Sequence, residues 1–118
     1  MAALWKGGTN MPARLPKVVA AYFAATNRHD ISAMMATFSH RAVVKDEGLE
    51  HRGLEAIRRW AEETIRKYDF TIEPEGATET DAVTMVTGQV SGTFPGSPLR
   101  IQFSFSFDHE KISRLEIG

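Results

Sequence analysis

The chain has 118 residues, and 42% hydrophobic with 25% charged residues is the balance of an ordinary soluble domain, not of a disordered or membrane-spanning chain. A net charge of -1 argues against a nucleic-acid groove, which needs a basic stripe. The absence of cysteine excludes disulfides, thiolate metal sites and cysteine nucleophiles together.

Residues 1–14, "MAALWKGGTNMPAR", contain no apolar segment of signal-peptide length, so they are expected to form a flexible tail on a cytoplasmic protein. Trp5 in this stretch is assigned no function. No apolar run approaches the roughly 20 residues that span a bilayer, so no membrane partner is expected. Residues 15–118 then form one domain. Leu15, Val18, Val19, Tyr22, Phe23 and Thr26 recur at helical spacing, with Pro16 suited to the first turn. The helix should end near "NRHD", where Asp30 can cap a second, shorter helix whose face carries Ile31, Met34, Met35 and Phe38. Residues 42–52 predict a hairpin with Gly48 near its turn. After Gly53, the stripe Leu54, Ile57, Trp60, Ala61, Thr64, Ile65 and Tyr68 predicts a long amphipathic helix.

The second half predicts strands. "DFTIEPEGATET" is a strand that Pro74 perturbs or places at an edge. "AVTMVTGQVSGTF" follows, with Gly88 and Gly92 suggesting bends or bulges. After the turn "PGSP", "LRIQFSFSFD" alternates strictly. Leu99, Ile101, Phe103, Phe105 and Phe107 share one face; Arg100, Gln102, Ser104, Ser106 and Asp108 share the other. "ISRLEI" is the last strand. Helices segregated from an antiparallel meander define an α+β fold. A long glycine-bent sheet curled around three helices makes a cone, whose open end is a natural apolar pocket.

The segments "VVAAYFAATNRHDISAMMATFSHRAVVKDEG" and "HRGLEAIRRW", with this strand order, resemble the nuclear transport factor 2-like superfamily in its SnoaL-like branch. The resemblance implies a cone-shaped curved antiparallel sheet wrapped around three helices, a cystatin-like α+β barrel. That fold hosts isomerases, cyclases, dehydratases, hydrolases and pure binders. Among the ketosteroid isomerase relatives, a first-helix tyrosine donates to the developing oxyanion and an aspartate ending the first strand moves the proton. Aligned without gaps, Tyr22 and Asp46, 24 residues apart, fall on those two positions. Trp60 falls on an aromatic pocket position. The family's second acid is missing, and Phe103 stands there instead. A phenylalanine raises a neighbouring carboxylate's pKa by desolvation but donates no hydrogen bond. Losing one oxyanion donor typically costs about 2.7–4 kcal/mol of transition-state stabilisation. Steroid isomerisation is therefore not expected.

The candidate catalytic residues are Asp46, Tyr22 and His51; the candidate pocket walls are Met35, Phe38, Trp60, Phe94, Phe103 and Phe105. Alternation sends Val44 and Asp46 inward and Val43 and Lys45 outward. The plain alternative makes Asp46 an exposed strand-end acid. Likewise, Tyr22 is a core residue unless its hydroxyl serves the pocket, and His51 a surface residue unless it lines the mouth. His29, His40 and His109 form no metal-ligand spacing with Asp46 or His51, so no metal is expected, and proton transfer by a carboxylate requires no cofactor. Three functions compete: an enzyme with Asp46 as base or acid and Tyr22 as donor, a non-catalytic binder of a small hydrophobic ligand, and a protein-interaction domain. The small polar face of the phenylalanine strand suits sheet-to-sheet packing, so a homodimer through the outer sheet face is expected.

Overall fold

The computed structural model describes residues 15–80 and 82–118, so the expected tail of residues 1–14 lies outside them. Helix α1 spans Lys17–Asn27, and Pro16 stands just before it rather than within its first turn. Helix α2, Ile31–Met35, starts where Asp30 accepts a hydrogen bond from the Ala33 N–H at 3.1 Å. It ends three residues short of Phe38, which instead opens strand β1, Phe38–Asp46. The β-branched and aromatic content after Met35 favours extended backbone over a second helical turn.

Strand β2, Leu49–Arg52, returns from β1 through a two-residue turn. Both central residues have positive φ, Glu47 at 54° and Gly48 at 79°, the backbone of a type I′ hairpin. Helix α3, Leu54–Tyr68, buries Ile57, Trp60 and Ala61 from its apolar stripe. Glu55 lies in its first turn and Arg66 and Lys67 in its last, matching the helix dipole. Strands β3 (Thr71–Thr80), β4 (Val83–Ser91), β5 (Leu99–Asp108) and β6 (Lys111–Ile117) complete one open six-stranded sheet. Its order is β2-β1-β6-β5-β4-β3.

One pairing departs from the expected antiparallel sheet: β1 runs parallel to β6, with Asp46 opposite Ile117. The sheet is also unclosed, since β2 and β3 are both edges. Pro74 sits on the edge strand β3, beside a register shift between Pro74 and Gly76. The bulge therefore belongs to β3, opposite the expected bend at Gly88. Gly88 is required by close approach: a Cβ there would lie 2.8 Å from Ile72 Cγ2 and 3.2 Å from Phe103 Cε1. The edge of β3 is anchored to the end of α1 by Asn27. Its side chain donates to the Ile72 carbonyl at 2.8 Å and accepts from the Ile72 N–H at 2.7 Å. His29 bonds the Phe70 carbonyl at 2.8 Å beside this clamp.

The concave face of the sheet holds the core. Tyr22 packs edge-on against Phe38 and Phe105, with ring centres 5.8 and 5.7 Å apart, and Phe23 packs edge-on against Phe103 at 5.5 Å. Such edge-to-face pairs contribute beyond the apolar area they bury. No described helix is long and apolar enough to cross a membrane.

Candidate functional site

A cavity of about 340 Å³ opens between α3 and the far end of the sheet from α2. This is at the small end of the range for ligand pockets. Several elements converge on it. The α3 residues Trp60, Thr64 and Tyr68 follow one another at four-residue spacing and present one face to it. Strand β5 contributes Leu99, Ile101 and Phe103 by simple alternation. Asp46 reaches it as the last residue of β1, opposite Ile117, which also lines the wall.

Alternation acts on Asp46 as its sequence neighbours require. Val44 is fully buried, Lys45 is exposed, and Asp46 is half-buried at the cavity wall. The Trp60 indole N–H donates to Asp46 Oδ2 at 3.0 Å. Burial raises the Asp46 pKa above the usual carboxylate value, and the neighbouring Glu47 charge adds to the rise. The Trp60 hydrogen bond, His51 and the Glu47 main-chain N–H pull it back without cancelling the shift. Desolvation therefore wins, and the carboxylate holds its proton more tightly than one in water.

Tyr22 also lines the cavity, while its ring is 1% exposed among core aromatics. Burial first, and then the charge of Asp46, push its phenol far above the ordinary range, with Thr26 opposing them. The Thr26 hydroxyl is itself committed to the Tyr22 carbonyl at 2.7 Å. The phenol thus stays a neutral donor at physiological pH.

Of the other candidates, Trp60, Phe94 and Phe103 line the cavity and four residues do not. Phe38 stands at the opposite end of β1 from Asp46, roughly 25 Å along the strand at about 3.3 Å per residue. Met35 is buried on α2 in the packed core. Phe105 is sealed between the rings of Tyr22 and Phe23. His51 faces the same side of the sheet as its partner Val44, on the edge strand β2, but does not line the cavity. Its imidazole lies in an adjoining groove with Arg59, Glu63 and Lys67, its ring centre 6.2 Å from that of Trp60. Asp46, Glu47, Trp60, Thr64 and Tyr68 border both spaces. No group of three or more His, Asp or Glu residues among the described residues is arranged to hold a metal ion.

At the mouth, Phe94 was a candidate wall residue, whereas Glu47 and Tyr68 were not singled out. Tyr68 donates from its hydroxyl to Glu47 Oε2 at 3.1 Å and packs edge-on against Phe94 at 5.8 Å. The β4–β5 loop that carries Phe94 is pinned to the end of α3, where the Thr93 N–H donates to the Tyr68 carbonyl at 2.7 Å. Tyr68 was visible in the α3 stripe at the spacing of Trp60 and Thr64. Phe94 sits in a turn, and no periodicity could show which way it faces.

The combination of a curved open sheet, three helices and an apolar cavity at one end defines the class to which ketosteroid isomerase-like and cystatin-like folds belong. A SnoaL-like domain family model matches residues 19–115, and the chain belongs to that family. A crystal structure from Sinorhizobium meliloti, of a protein with the provisional designation of polyketide cyclase, is 38% identical with a TM-score of 0.90. That match covers 92% of this chain and 100% of the other. A ketosteroid isomerase-like protein from Catenulispora acidiphila, solved in complex with trimethylamine, shares the fold at 18% identity and a TM-score of 0.77. The match covers 87% of this chain and 85% of that one. SalBIII, an epoxide hydrolase/cyclase-like enzyme of pyran ring formation in salinomycin, shares it at 20% identity and a TM-score of 0.72, covering 86% of each chain. Among curated proteins none matches.

Proposed function

We propose that the cavity binds a small, largely apolar molecule and that Asp46 moves a proton on it without a cofactor, in an isomerase-, cyclase- or hydrolase-type reaction. The observation that carries this reading is the placement of the Asp46 carboxylate, held by an indole N–H, on the wall of a largely apolar cavity whose other carboxylate, Glu47, is exposed at the mouth. A carboxylate whose pKa is raised by burial is a better-matched general base than one in water. Tyr22 is the neutral donor for oxygen charge that develops as the proton leaves. The designation of the Sinorhizobium meliloti relative supports ring-closing chemistry on a carbonyl compound.

Exchange of α-protons of apolar cyclic ketones in deuterated water tests the reading without knowledge of the natural substrate. The wild-type chain should accelerate exchange, and Asp46→Asn should lose on the order of 10²–10⁴-fold of that acceleration. Equal rates for the two proteins would favour the non-catalytic ligand-binding reading.

The outer sheet face is the proposed contact for a second copy. Its Arg114 already bonds Glu50 at 3.0 Å and Glu116 at 2.7 Å, so a partner meets charges that are neutralised within the protomer. A single 13.1 kDa species in sedimentation would count against this dimer.

A further inference from the structure

We propose that the ligand carries a cationic amine, held at the cavity mouth between Glu47 and the Tyr68–Phe94 corner, with its apolar body directed inward toward Asp46. This deepens the reading of the cavity as a ligand site and rests on it.

The argument begins with the polar inventory of the wall. Its charged residues are Asp46 and Glu47, and no Lys, Arg or His lines it among the described residues. An anionic ligand would meet two carboxylates and no counter-charge. The hydrogen-bond donors are nearly all spent. The Trp60 N–H is given to Asp46, the Tyr68 hydroxyl to Glu47, and the Thr64 hydroxyl to the carbonyls of Trp60 and Ala61 at 3.0 and 3.2 Å. Tyr22 is the remaining phenol, and it lies deep. Acceptor-rich ligands therefore find few partners, whereas a ligand that brings its own donors and positive charge finds carboxylate oxygens.

The aromatic arrangement points the same way. Tyr68 and Phe94 stand at 83° to each other, so together they form a corner of two π-systems beside the Glu47 carboxylate. Aromatic faces next to an acid attract ammonium groups electrostatically. The Tyr68 ring already attracts one cation, with Lys67 Nζ 5.1 Å from its centre. Lys67 does not line the cavity, but it shares the adjoining groove with Glu47 and Tyr68, so the ligand's ammonium takes the cavity side of that corner and Lys67 the groove side. Glu47 is exposed at the turn, where an incoming ammonium reaches it without crossing the apolar interior.

Calorimetric titration of the full chain with phenylbutylamine, phenylbutanol and phenylbutyrate compares a cation, a neutral molecule and an anion on one apolar body. The amine should bind roughly tenfold tighter than the alcohol, the ratio equivalent to about 1.4 kcal/mol, and the carboxylate weakest. Glu47→Gln should reduce the amine's preference to under about threefold while leaving alcohol binding unchanged, and added salt should erode it in the wild type. Equal binding of amine and alcohol, tightest binding of the carboxylate, or no binding of any probe overturns the proposal. A preference that survives Glu47→Gln but vanishes in Asp46→Asn overturns the placement at the mouth. The outcomes separate from those of the proton-transfer reading. Amine preference with no ketone exchange leaves a cation-binding module, and exchange without amine preference leaves an enzyme for neutral substrates.

Discussion

Phe103 and Phe105 lie two residues apart on one face of β5 and are both buried, yet Phe103 borders open space and Phe105 does not. The difference lies in what arrives from the helices. Over Phe105, Tyr22 and Phe23 both close in from α1, with Phe38 packed behind Tyr22. Over Phe103, Phe23 is the one aromatic contact among the described residues, and the α3 indole of Trp60 is committed to the Asp46 carboxylate. A site thus arises where a core-forming strand outruns the side chains that could fill its concave face. The polar group that keeps Trp60 occupied is also the one to which the proposed proton transfer is assigned.

The comparison breaks most severely at the closed end. Phe105→Ala should cost about 3–5 kcal/mol in chemical denaturation, because it removes a ring with close neighbours on every side. Phe103→Ala should cost about 1–2 kcal/mol less, since part of its surround is already empty. Equal losses would show that the two rings are equally packed.

Gly88→Ala probes the wall between the regions. The new methyl must displace Ile72 or Phe103, so a loss of about 1–3 kcal/mol is expected, together with a narrower cavity and weaker binding of the titration probes.

Trp60→Phe removes the donor to Asp46 while keeping an aromatic ring. The lost charge-assisted bond should cost about 1–2 kcal/mol and raise the Asp46 pKa further, read by ¹³C NMR of the carboxyl. The sign of the pH effect follows from the direction of the shift. A native carboxyl that holds its proton more tightly than the unfolded one stabilises the fold most at low pH. That contribution is lost as pH rises through the interval between the unfolded value of 3.8 and the raised native value. Asp46→Asn should therefore flatten stability against pH in that window, and Trp60→Phe should widen it upward.

The smallest effect is expected at the mouth. Tyr68→Phe removes a hydrogen bond to an exposed partner, so stability should change by no more than about 0.5 kcal/mol. Any effect there should appear in ligand binding instead.

Much of this architecture is legible in the residues. The α3 stripe, the Asp30 cap, the β5 alternation and the Glu47–Gly48 turn are local signals, with periods or backbone requirements spanning a few residues. They place Asp46 at a strand end, and Trp60 and Tyr68 on one helix face. The parallel pairing of β1 with β6 has no such signal, because it joins segments about seventy residues apart in the chain. The fate of the pocket candidates was hidden for the same reason. Met35, Phe38 and Phe105 have the composition of a wall, and only packing decides that they belong to the core. His51 has the right face, but its ring lies in the neighbouring groove against Trp60, which borders both spaces.

Taken alone, then, the sequence determines the elements, their apolar faces and the inward turn of Asp46, because side-chain periodicity follows directly from backbone geometry. Tertiary structure decides where the concave face is left unfilled, that Trp60 binds Asp46, and that Tyr68, Phe94 and Glu47 meet at the mouth. Those outcomes depend on how far each helix reaches across the curved sheet, a competition among distant side chains for the same space.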